Sequence, residues 1–153
     1  MTFRRTNNRY LLFTFLGIVI AAGCKKDDED PVAPIITFDS ITATTVEQFN
    51  NSIQIGILYE DYQGDLGRED PDDYSLRVRD ARLGDYDWYH IPPMTPDNNE
   101  LHIKGKYILE LDPLFLMGTG TQESTTLTIQ LQDKAGNWSN SIVTPVVLVV
   151  DSI

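Results

Sequence analysis

The sequence predicts an all-β domain, a Greek-key β-sandwich of about seven strands, on three observations. Apolar residues recur with a period of two in several short runs. Gly, Pro, Asn and Asp cluster between those runs, where the chain must turn. No stretch of ten residues after Cys24 has the 3.6-residue period of an amphipathic helix. Short strands joined by tight turns bury their apolar faces by closing two sheets over one core.

Each element follows from its own pattern. Residues 34–38, continuing to Thr42, make a first strand. In 52–59, Ile53, Ile55, Ile57 and Tyr59 fall on one face, which marks a half-buried strand. In 74–80, Tyr74, Leu76 and Val78 face one way and Arg77 and Arg79 the other. Residues 101–111 alternate at Leu101 and Ile103 and again at Tyr107, Leu109 and Leu111. In 125–131 the inward set is Leu127, Ile129 and Leu131, and the β-branched run 146–150 closes the chain. Asp112 and Pro113 suit the N-cap and first position of one helical turn over 112–117.

The N-terminus reads as an address. Arg4, Arg5 and Arg9 precede an apolar run, Tyr10 to Ile20, and small residues at 21–23. That order describes a secretory signal, and the run is shorter than the roughly 20 apolar residues of a membrane span. The single cysteine, Cys24, follows directly, which excludes an intrachain disulfide framework. Ala21-Ala22-Gly23-Cys24 resembles the lipobox of bacterial lipoproteins, although that family usually has Leu where Ala21 stands. The resemblance implies lipid attachment at Cys24 and an outer-membrane, cell-surface location, with the membrane as a partner through the lipid. The lysine-plus-acid tract 25–30 resembles the export tract of Bacteroidetes surface lipoproteins. The organisation expected is a signal peptide over 1–23, an acidic tether over 24–34 and one domain over 35–153.

The formal net charge is −11, and removing 1–23 sharpens it to −14. Such acidity argues against a nucleic-acid partner, because phosphates need a basic surface. Residues 131–139 resemble the D-x-A-G-N-x-S hairpin of bacterial immunoglobulin-like domains, with Gly136 and Asn137 suited to positive φ. The stretch 57–67 is similar to the acidic Gly-containing loop of small Bacteroidetes lipoproteins. Together these resemblances imply an immunoglobulin-like sandwich of undefined function.

Two constellations carry candidate chemistry. The loop 60–73 holds seven acids and one base, Arg68. Calcium takes six to eight oxygens, so Asp61, Asp65, Glu69 and Asp70 are candidate ligands for a structural calcium ion. The alternative is a solvated acidic loop with Gly64 and Gly67 as turn residues. The second constellation is 85–90. In a strand, Tyr86, Trp88 and His90 share a face, either as a stacking platform for a glycan or aromatic partner or as core aromatics.

Catalytic signals are sparse. His90 and His102 have no Ser or Cys nucleophile motif beside them, and Gly118–Gly120 lacks the lysine of a phosphate loop. The function expected is a non-catalytic accessory or binding module with a protein or glycan partner. A first alternative, by analogy with lipoproteins of polysaccharide-uptake systems, is a glycan-binding accessory. A small hydrolase using two of Asp61, Asp65, Asp70 and Asp133 in a cleft is the remaining alternative.

Overall fold

A computed structural model describes residues 30–50, 52–95 and 101–151. The signal segment, Cys24 and residues 25–29 of the tether lie outside the described residues. Ten strand segments are present: β1 (Ile35–Ile41), β2 (Thr45–Glu47), β3 (Ile53–Asp61), β4 (Leu76–Asp80), β5 (Asp87–Tyr89), β6 (Ile103–Leu111), β7 (Gln122–Thr125), β8 (Leu127–Leu131), β9 (Ile142–Val143) and β10 (Val147–Val150). Among the described residues there is no helix.

One layer is the antiparallel sheet β1-β3-β6. The other is β5-β4-β8-β9, carried on by β7 and β10, with β2 parallel on β10. Segments β7 and β8 are one strand interrupted at Thr126, and β9 and β10 one strand interrupted at 144–146. Thr125 pairs with Val147 and Thr128 with Val143, so two residues oppose three and the ladder must bulge. Pro145 sits in the bulge, where its missing N–H breaks no pairing. The Thr144 hydroxyl accepts the Leu127 N–H at 3.0 Å and stands in for the lost backbone partner.

Segments β1 and β2 are the first strand passing from one sheet to the other. Counted in this way, the described residues form seven strands. The chain crosses between layers after β2, β3, β5 and β6, which gives an immunoglobulin-like Greek-key sandwich.

The core is aliphatic. Ile53, Ile55 and Ile57 of β3 join Leu76, Val78, Leu127, Ile129 and Leu131 of the facing sheet in one buried cluster. Each such side chain contributes about 1.5–3 kcal/mol by leaving water. Phe38, Tyr59, Tyr89 and Tyr107 pack half-buried against its margin. The buried core cluster of the described residues is thus filled by Ile, Leu and Val without a tryptophan.

Two expectations are corrected. Tyr74 is exposed, not inward, because β4 begins only at Leu76 and Tyr74 belongs to the turn before it. Residues 112–117 form no helical turn, because their backbone groups are engaged outside the segment. The Leu114 carbonyl accepts the Phe49 N–H at 3.0 Å, and the Phe115 carbonyl accepts Arg82 Nη1–H at 2.8 Å.

Candidate functional site: an aromatic and arginine face

Strand parity builds the site. Cross-strand partners share a face of a sheet, and Arg77 pairs with Trp88 on one side and Gln130 on the other. The inward residues of β4 and β8 fill the core, so this row faces outward. The turn after β8 adds Trp138, which bridges to Gln132 two residues along the same parity.

The result is a stack across the sheet. Arg77 Cζ lies 4.0 Å from the Trp138 ring centroid and 4.5 Å from that of Tyr86. Arg79 Cζ lies 5.4 Å from the other aromatic neighbour it shares with Arg77, Tyr86. Trp88 sits beside the stack, 5.8 Å from Trp138 and 6.5 Å from Tyr86 between centroids. It is 47% exposed, the most open ring of the group. Arg77 Nε and Nη2 both donate to Gln130 Oε1, at 3.1 and 2.7 Å, and Gln130 Nε2 donates to the Ser139 carbonyl at 3.1 Å. The guanidinium is thus clamped in plane, and each cation–π contact contributes about 0.5–1 kcal/mol at a surface.

Of the three stacking candidates, the fold brings Tyr86 and Trp88 together and turns His90 away. Segment β5 ends at Tyr89, and His90 Nε2–H donates to the Arg68 carbonyl at 2.9 Å. Trp138 was not among the candidates, because its stretch reads first as a hairpin turn. Parity holds the missed signal: a turn over 133–137 sets residue 138 opposite Gln132, on the Arg77 side. In that turn Asp133 Oδ1 accepts the Asn137 N–H at 2.7 Å and Oδ2 accepts the Asn137 side-chain amide at 2.9 Å. Gly136 takes positive φ, 92°, while Asn137 does not and serves through its side chain.

The acidic loop divides. Asp61 is fully buried; its Oδ2 accepts the Asp65 N–H at 2.9 Å and its Oδ1 the Gln63 N–H at 3.4 Å. Burial pushes its carboxyl above the ordinary value of 3.8, and the nearby Asp65 and Asp133 carboxylates add to the rise. Asp65 Oδ1 and Gln63 Oε1 are buried acceptors without a donor. Glu69 and Asp70 are exposed, and Asp70 Oδ1 accepts the Asp72 N–H in a turn of its own. The four candidate ligands therefore do not converge. Among the described residues, no group of three or more His, Cys, Asp or Glu side chains is placed to hold a metal.

Three cavities of about 390, 450 and 510 Å³ are lined by other residues than Asp61, Asp65, Asp70 and Asp133. The first opens between β4, β5 and the segment after β6, with Asp80, Arg82, Tyr89 and Phe115 on its walls. Elsewhere on the surface, a hydrogen bond from Lys104, helped by His102 and Tyr62, holds Glu60 down at about 2. The His102 ring stacks on Tyr62 at 4.1 Å and is exposed, one residue before β6 begins.

No family model matches the chain, and no curated protein matches it. A crystal structure of a point mutant of the SrpA adhesin from Streptococcus sanguinis is similar at 16% identity, with a TM-score of 0.39. The alignment covers 80% of this chain and 59% of the adhesin chain.

Proposed function

We propose that this protein is a lipid-anchored envelope protein, held through Cys24, whose sandwich domain is a non-catalytic glycan-binding module. One observation carries the reading: both tryptophans of the chain, Trp88 and Trp138, converge with Tyr86 on one solvent-facing sheet surface. The C–H bonds on one side of a pyranose ring carry partial positive charge and are attracted to an aromatic face. A rigid platform of this kind loses little conformational entropy on binding. The lipobox-like segment and the acidic tether support an anchored, outward-facing domain. Among the described residues, no helix is long and apolar enough to cross a membrane.

Electrophoresis of the folded domain through native gels containing single polysaccharides tests the proposal. At least one gel is expected to retard the wild-type protein, and Trp88→Ala is expected to abolish that retardation while melting within about 2 °C of wild type. Equal retardation of the variant would refute the platform.

A second reading, a calcium ion at the acidic loop, is favoured by the two orphaned acceptors. It narrows the ligands to Asp61 and Asp65, with Gln63 Oε1 as a third oxygen. About 1 mM calcium is then expected to raise the melting temperature by several degrees over a chelated sample. Asp65→Asn is expected to lose most of that rise; an unchanged wild-type melt ends this reading.

A further inference from the structure

The platform carries charge as well as rings, and the charge selects among glycans. Of the seven described Lys and Arg side chains, four are ion-paired within the molecule. Arg68 meets Asp73, Arg82 meets Asp80 and Glu123, Lys104 meets Glu60, and Lys106 meets Asp39; Lys134 has an interaction of its own. Arg77 and Arg79 have rings and an amide oxygen for neighbours and, among the described residues, no ion-paired carboxylate. In a chain of net charge −11, two adjacent unpaired arginines on one face are an exception.

The surrounding strands keep acids off that face. The outward positions are Arg77 and Arg79 on β4, Trp88 on β5, Thr128 and Gln130 on β8 and Val143 on β9. No Asp or Glu is among them. Asp87, next to Trp88, has the opposite parity, pairing with Val78, and lines the first cavity, to whose wall Trp88 also contributes.

Resting on the glycan-binding reading, we propose that this face takes an anionic polysaccharide, a polyuronate whose ring carboxylates meet Arg79 while its pyranose rings lie on Trp88. Arg77 has two donors committed to Gln130 and both faces stacked, so it supplies fixed positive potential. Arg79 is exposed, and among the described residues its guanidinium has the Tyr86 ring beside it and no hydrogen-bond partner. Its planar fork matches a carboxylate in a bidentate pair. Stacking and charge are both needed, which separates a polyuronate from a neutral glycan and from an acidic peptide.

The test uses native gels containing polygalacturonate, its fully methyl-esterified form, dextran or polyglutamate. Polygalacturonate is expected to retard the wild-type domain, about ten-fold more strongly than the ester. Arg79→Gln is expected to lose about ten-fold of the polygalacturonate effect, whereas Lys106→Gln on the opposite sheet keeps it. No retardation by polygalacturonate, or equal retardation by its ester, overturns the proposal. So does polyglutamate acting as strongly as the polyuronate. Retardation by dextran alone, lost in Trp88→Ala, overturns the anionic ligand and leaves the platform standing. Polygalacturonate binding unaffected by Trp88→Ala removes the platform itself.

Discussion

Replacing Asp80 by alanine is expected to lower the unfolding free energy by about 3–5 kcal/mol, a large share of the roughly 5–15 kcal/mol typical of a small domain. Asp80 is 5% exposed at the end of β4. Its carboxylate binds Arg82 Nη2 at 2.6 Å and the Thr125 hydroxyl, and it accepts the Arg82 backbone N–H at 2.9 Å. Arg82 carries the linkage onward through Nη1 to Glu123 at 3.0 Å and to the Phe115 carbonyl at 2.8 Å. Glu123 in turn accepts the Met117 and Gly118 N–H groups at 3.0 and 2.6 Å. One carboxylate therefore ties β4 to β7 and to the irregular segment after β6. Truncating it strands a half-buried guanidinium and a buried hydroxyl, and that loss exceeds the value of the intact pair.

The same group gives stability a pH dependence. Burial alone would raise the Asp80 carboxyl, but the hydrogen bonds from Arg82 and Thr125 outweigh it and hold the group below 3.8. A folded value below the unfolded one stabilises the fold at pH above the unfolded value. That contribution is lost as pH falls through the folded value. Urea titrations of wild type and Asp80→Ala are expected to differ most at neutral pH and to converge toward strong acid. A neutral-pH difference under about 1 kcal/mol would contradict the account.

Gly67→Ala is expected to cost about 3 kcal/mol, from backbone strain together with overpacking. Gly67 has φ of 87°, and a Cβ there would lie 2.2 Å from the Pro92 carbonyl oxygen. Two backbone hydrogen bonds flank the contact: Arg68 N–H to Ile91 O at 2.8 Å and Met94 N–H to Leu66 O at 3.0 Å. A methyl group would push these backbones apart and open water to Leu66 and Ile91, both fully buried. Gly84 is the matched control. A Cβ there meets nothing within 4 Å, so Gly84→Ala is expected to stay within about 0.5 kcal/mol of wild type. Equal melts for the two variants would show that the close approach at Gly67 carries no weight.

Side-chain period made most of the sandwich legible. The alternation at Ile53, Ile55 and Ile57 and at Leu127, Ile129 and Leu131 holds because one-residue slips would move whole apolar sets into water. Less legible were features set by long-range pairing. The parallel pairing of β2 with β10 joins residues about a hundred apart in sequence, and nothing local in Thr45–Glu47 announces it. The break at Thr126 depends on Pro145 in the opposing strand. Tyr74 was misplaced because alternation does not reveal where a strand begins.

The site was legible by the same rule. Parity puts Arg77 and Arg79 outward but leaves Trp88 open between platform and core; its pairing with Arg77 decides that, and His90 leaves the face because β5 stops one residue before it. The acidic loop was read by composition, which does not distinguish a carboxylate facing solvent, such as Glu69, from one consumed by its own loop, such as Asp61.

The central claim is that the outer face at Trp88 and Trp138 is the binding surface. The chain has two tryptophans and both lie there, so indole fluorescence reports on that face alone. The direct measurement is a titration with the retarding polysaccharide, following emission and quenching by acrylamide. The account predicts a saturable emission change and a marked fall in quenching at saturation. A polysaccharide that retards the domain while leaving both emission and quenching unchanged would place the binding surface elsewhere.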